Sequence, residues 1–260
     1  MEEAQEALEE AQRADAVEKQ QEASKKLAEA KAELEEILRQ MREEEIERTL
    51  AQLEARFQKM LEMQLRVNER TLQLDKLSDD RVKEIEASKL SFQEKRIVVE
   101  ADKALTLLRE EGSSIAFPET VGQMRGDMEQ VVERLAQTRV GVITQGIEDD
   151  IVQSLEEMIQ AMQTAQQEQE DRKNQPPGSG GNPSQEDQPL VDALAELRMI
   201  RALQLRINKR TSRYAQMLDD LDDPAGQAND EELVEALQGL GERELRVQQI
   251  TRDLSLGKNK

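Results

Sequence analysis

Apolar side chains return every seven residues along the first part of this chain. Ile46, Leu53, Met60, Val67 and Leu74 keep that step, and Leu50 and Phe57 stand four residues after Ile46 and Leu53. This is the a/d spacing of a helical seam. Upstream, Leu27, Leu34 and Met41 also fall seven apart, but the step from Met41 to Ile46 is five. The register therefore slips near Arg42–Glu45, where a bend or a change of partner is expected. No Gly or Pro occurs in residues 1–111, so helix is permitted throughout.

Breaks are signalled further on. Asp79 and Asp80, after Ser78, have the chemistry of a helix N-cap, which predicts a second helix from about Arg81 to Glu111. Gly112 suits the cap beyond its end, and Pro118 suits the first turn of a third helix reaching about Arg139. Gly141 and Gly146 flank Thr144 and predict a kink or short turn there. A fourth helix, about Ile147 to Arg172, would turn Ile151, Leu155, Ile159 and Met162 to one face. Glu148, Asp149 and Asp150 would then open that helix and favour the positive end of its dipole. Residues 173–189, rich in Pro, Gly and Ser, have the composition of a flexible linker.

A nine-residue phrase occurs twice. Met63 to Thr71 reads MQLRVNERT, Leu203 to Thr211 reads LQLRINKRT, and six of the nine positions are identical. At the same offset of 140, Leu50, Phe57, Met60, Leu74 and Leu77 map onto Leu190, Leu197, Ile200, Tyr214 and Met217, and Asp79-Asp80 onto Asp219-Asp220. At an offset of 150, Leu90, Glu94, Arg96 and Ile97 recur as Leu240, Glu244, Arg246 and Val247. The pattern predicts an all-α, elongated helical bundle or coiled coil built on a duplicated helix-turn-helix hairpin. Its expected divisions are a charged N-terminal helix (1–45), a bundle (46–172) holding the first hairpin (46–111), the linker (173–189), the second hairpin (190–256) and a tail (257–260).

Within each phrase, polar side chains interrupt the seam. Gln64, Asn68 and Thr71 share one helical face, as do Gln204, Asn208 and Thr211. Arg66 and Arg70 flank the first set, and Arg206 and Arg210 the second. Polar residues in a seam cost stability but set register and partner number. These ten residues are the candidate partner- or register-setting positions. The competing reading is an open face that docks a partner helix through Arg–carboxylate contacts.

Composition narrows the chemistry. The chain has no His, Cys or Trp, which removes the usual proton shuttle, thiolate nucleophile and transition-metal ligands. No catalytic residue, cofactor or metal site is assigned from the sequence. A loop from Asp219 to Glu231 is rich in oxygen ligands, but Pro224 and the displaced Gly226 break the EF-hand order, so it reads as a solvated turn. Carboxylate pairs are too many for one to stand out. Met60, Met63, Met158 and Met162 read as adaptable core filler, with a Met-lined groove the alternative. The formal charge of −20 argues against nucleic acid and anionic membrane as partners. No stretch of sequence is apolar enough to insert in a bilayer. Cytoplasmic location is expected if Met1 is the true start. An extracytoplasmic or membrane-tethered location is expected if Met1, which stands in mid-helix sequence, lies inside a longer protein.

The segments EEILRQMREEEIERTLAQLEARFQKMLEMQ, EADKALTLLREEGSSIAFPE and LAELRMIRALQLRINKRTSRY resemble those of a group of uncharacterised bacterial proteins of helical, coiled-coil type. The resemblance spans most of residues 30–218. It implies an all-α fold and no particular activity. Some members of that group are longer at the N-terminus and carry export or membrane signals.

The resulting expectation is a non-enzymatic structural or scaffold protein that works through helix–helix association, with protein partners or homo-oligomers. A regulatory or chaperone-like module that holds a partner helix is the alternative. A carboxylate-based enzyme is a third class.

Overall fold

The computed structural model describes residues 13–173, 189–217 and 231–257. Six helices account for almost all of them, and no strand occurs among the described residues. They are α1 (Arg13–Asp75), α2 (Asp80–Glu111), α3 (Ala116–Ala136), α4 (Val142–Lys173), α5 (Ala193–Ala215) and α6 (Glu231–Ser255). The protein is all-α. Most of the linker and the acidic run Asp219–Asp230 lie outside the described residues, as do the last residues of the tail.

The described residues divide into two compact units, one up to Arg48 and one from Thr49 onward. In the first, large apolar side chains of the helix up to Met41 are exposed, whereas Ile46 near the end of the unit is buried. Leu27 and Leu34 are each 61% exposed and Met41 is 62% exposed, with Ile37 and Leu38 also exposed. The helix is not interrupted at Arg42–Glu45.

In the second unit the predicted seam of α1 is core. Leu50, Leu53, Phe57, Met60 and Val67 are buried, as are Leu90, Ile97 and Leu108 of α2. The α2 and α3 helices pack together, and α4 packs beside α3. Asp79 caps α2 by accepting hydrogen bonds from the Arg81 and Val82 amides, both at 3.1 Å. Gly112 ends α2 at φ 78°, the left-handed conformation that glycine adopts without a Cβ penalty.

The third helix stops at Ala136, three residues before the predicted end, and α4 begins at Val142 rather than Ile147. Gly141 closes the turn, and Gly146 lies inside α4. Thr144, expected at a kink, instead ties the turn down by accepting from Arg134 Nε at 2.8 Å and donating to the Arg139 carbonyl. The buried face of α4 also differs from the predicted one. Met158 is fully buried in place of Ile159, which is half-buried. Met60, Met158 and Met162 are buried and Met63 is half-buried, so three of the four serve as core filler.

The α5–α6 hairpin belongs to this same unit, with α5 and α6 packed together and α5 against α3. Asp192 caps α5 through the Ala195 amide at 2.6 Å.

Candidate functional site

The two nine-residue phrases both form helix, yet they turn different faces inward. In α1, Gln64 and Thr71 are wholly buried, Asn68 is half-buried, and Arg66 and Arg70 are exposed. In α5 the arginines are buried instead, Arg206 at 6% and Arg210 at 3% exposure. There Gln204 is half-buried, while Asn208 and Thr211 are exposed. The second helix is thus rotated by roughly a quarter turn about its axis relative to the first. Two contacts survive the rotation. Gln64 Nε2 donates to Asn68 Oδ1 at 3.1 Å and to Glu94 Oε2 at 3.2 Å. Gln204 Nε2 donates to Asn208 Oδ1 at 3.3 Å and to Glu244 Oε2 at 2.8 Å.

The first polar layer encloses two acids that the sequence named, one for the repeat and one for a helix start, but did not assign to a site. Glu94 of α2 is fully buried and Glu148 of α4 is 1% exposed. Because α4 starts at Val142, Glu148 and Asp150 stand beyond the first turn and face inward. Their predicted part in the helix dipole is therefore corrected to contacts with other helices. Thr71 Oγ1 lies 2.7 Å from Glu148 Oε1 and 3.1 Å from the Val67 carbonyl. A hydroxyl has one proton for these two acceptors. When Glu148 carries a proton, its O–H donates to Thr71 and leaves the Thr71 proton for Val67.

Among the described residues neither acid meets a Lys or Arg at ion-pair distance. Burial pushes Glu94 well above the usual carboxylate range, and the charge of Glu148 adds to this, with the Gln64 hydrogen bond pulling the other way. Burial lifts Glu148 to about 7; the Thr71 hydrogen bond opposes this and Asp149 reinforces it.

Around the second phrase the charges are paired. Arg210 Nε donates to Asp150 Oδ2 at 2.6 Å, and its Nη1 and Nη2 reach both Asp127 oxygens at 2.8 and 2.6 Å. Arg213 donates to both Asp150 oxygens, at 3.0 and 3.2 Å, and Arg243 of α6 donates to both oxygens of Asp127. The Arg213 guanidinium passes over Gly146, where a Cβ would collide with it. Burial works against ionisation of Asp127, but Arg210 and Arg243 outweigh it and hold the carboxyl well below its usual range. Arg206 donates from Nη2 to Glu157 at 2.6 Å while its Nε is unpaired, and burial lowers its pKa. These arginines do meet carboxylates, as the open-face reading required, but the carboxylates belong to this chain.

A further acid completes the join. Glu196 of α5, 2% exposed, accepts from the Ala116 amide at 2.8 Å, the Ile115 amide at 3.3 Å and the Ser114 hydroxyl. It caps α3 from another helix, where the backbone amides at a helix start lack partners. Nothing in the spacing of Asp127, Asp150 or Glu196 distinguishes them from the other acids, so the sequence held no signal for them.

Between α4 and α5 lies a half-open groove of about 480 Å³. Ala161, Ala165, Met199 and Ala202 are among its apolar lining, with Glu157, Glu168, Arg198 and Arg201 among its charged residues. Glu94 and Glu148 do not line it.

Fold and site together define an all-α helical-bundle protein. The chain matches no family model, no curated protein and no solved structure. Among the described residues no helix is long and apolar enough to cross a membrane.

Proposed function

We propose that this is a non-enzymatic structural or scaffold protein that self-associates through helix–helix contacts. The observation that carries this reading is the uncovered stripe Leu27, Leu34 and Met41, with Ile37 and Leu38 beside it, on an otherwise charged helix. Apolar side chains at a seven-residue step gain burial when two such helices pair. An identical helix presents the matching stripe by construction. The test is analytical ultracentrifugation of the full chain over a hundredfold concentration range. Association is expected, and Leu27→Lys with Leu34→Lys should abolish it. A wild-type chain that stays monomeric throughout refutes the reading.

A regulatory or chaperone-like module that holds a partner helix is the second reading, supported by the α4–α5 groove. It predicts peptide binding that Ala165→Trp and Ala202→Trp block without changing self-association.

We also read the two hairpins as copies of one ancestral unit. The support is the repeated sequence and the shared bond pattern, Gln64 to Asn68 and Glu94, Gln204 to Asn208 and Glu244.

A further inference from the structure

The outer side of α2 carries a second uncovered apolar stripe. Ile85, Phe92 and Val99 recur at seven residues and are 50%, 67% and 50% exposed. That step keeps them on one face, away from the side where Leu90, Ile97 and Ala101 enter the core. Lys89, Arg96 and Lys103 each stand four residues after one of them and lie beside the stripe. Lys89 and Lys103 pair with Glu86 and Glu100 of their own helix. Arg96 and its neighbour Lys95 meet no acid at ion-pair distance among the described residues. From Lys89 to Lys103 the four basic side chains are all exposed, Glu94 and Glu100 are buried, and Asp102 is held by Arg125. In a chain of net charge −20 this face is locally basic.

The exposed stripe of α1 has the opposite surroundings. Residues 27–45 hold seven acids and three basic side chains. Glu33 beside Leu34, and Glu44 one turn after Met41, form no ion pair among the described residues. A second copy offers this stripe two surfaces, its own stripe and the outer face of α2. Pairing stripe with stripe sets acid beside acid, which costs free energy. The α2 face has the same seven-residue step over the same fourteen positions, and it brings cations to the unpaired acids. Phe92 supplies an aromatic anchor, the kind of side chain that carries most of the energy of an interface.

We infer that the α2 face of one copy receives the Leu27, Leu34 and Met41 stripe of another. The inference rests on the self-association reading and names the surface that the stripe meets. The two surfaces are unlike, so the contact is head-to-tail. Each copy brings one stripe and one α2 face. Joining two copies therefore leaves a stripe open on one and a face open on the other, and association continues past the dimer. A symmetrical stripe pair stops at two.

The experiment is sedimentation velocity of the full chain, with circular dichroism to confirm that each variant folds. Wild type is expected to grow beyond a dimer as concentration rises. Phe92→Glu, at an exposed position, should weaken association by roughly tenfold or more. Lys95→Glu with Arg96→Glu, which alters exposed charge alone, should weaken it by roughly tenfold. The exposed Leu245→Glu of α6 should associate as wild type does. The decisive sample mixes Phe92→Glu with the Leu27→Lys, Leu34→Lys variant. One keeps the stripe and the other keeps the face, so the mixture should form a one-to-one heterodimer that grows no further. If wild type associates but Phe92→Glu associates equally well, or if the mixture forms no heterodimer, the α2 face is not the partner surface and the inference is overturned while self-association stands. A monomeric wild type overturns both.

Discussion

Arg210 holds Asp127 in a two-pronged grip, Nη1 to Oδ1 at 2.8 Å and Nη2 to Oδ2 at 2.6 Å, with both side chains 3% exposed. The pair joins α5 to α3, and Arg243 extends it to α6. Removing the acid takes away the carboxylate that Arg243 grips and leaves the deeply buried Arg210 with Asp150 alone. Asp127→Ala should therefore cost about 3–5 kcal/mol, read as a shift of the urea midpoint. A loss below about 1 kcal/mol would mean that the network behaves as a solvated surface pair.

The two sets of acids impose opposite pH dependences. The folded-state pKa of Glu148 is raised to about 7, so the folded protein holds a proton that the unfolded chain releases. Its contribution is fully present below the ordinary carboxylate pKa and is lost as pH rises through about 7. A shift from 4.5 to about 7 corresponds to about 3 kcal/mol, and Glu94 acts in the same direction. Asp127 is shifted downward, so its contribution is present above its ordinary pKa and lost as pH falls below it. Stability should peak at mildly acidic pH and decline toward pH 7. Glu148→Gln should flatten that decline while leaving the acid limb in place.

Glu196 satisfies the first amides of α3 from a helix eighty residues away in sequence. Glu196→Ala should cost about 1–2 kcal/mol, the scale of losing a helix cap. Glu196→Gln keeps an acceptor and should cost less. Amide hydrogen exchange at Ile115 and Ala116 is the local readout, and unchanged protection in the Ala variant would exclude the capping role.

Gly146 and Arg213 form a coupled pair. In a helix interior Gly costs about 1 kcal/mol relative to Ala, yet a Cβ here meets the Arg213 guanidinium. Gly146→Ala should yield little net gain in wild type, because Arg213 must leave Asp150. In an Arg213→Ala background the same change should stabilise by about 1 kcal/mol. A double-mutant cycle measures the difference, and equal effects in both backgrounds would show that the close approach is of no consequence.

The helices were legible in the chain because their signals are local. Asp79 and Gly112 cap α2 as read, since capping depends on the few residues at a helix end. The seam Leu53, Phe57, Met60 and Val67 is buried as read, since a seven-residue step places side chains on one face whatever lies opposite. Gln64 and Thr71 were also identifiable, because a polar residue stands out against an apolar stripe. Tertiary structure decided which way the second phrase turns. Arg206 and Arg210 are buried there because Glu157, Asp127 and Asp150 await them, whereas Arg66 and Arg70 remain solvated. It also selected Glu94, Glu148, Asp127, Asp150 and Glu196 from 56 acids. An acid's sequence neighbours place it on a helix face, but only the helix packed against that face determines whether it meets water, a guanidinium, a helix end or another acid.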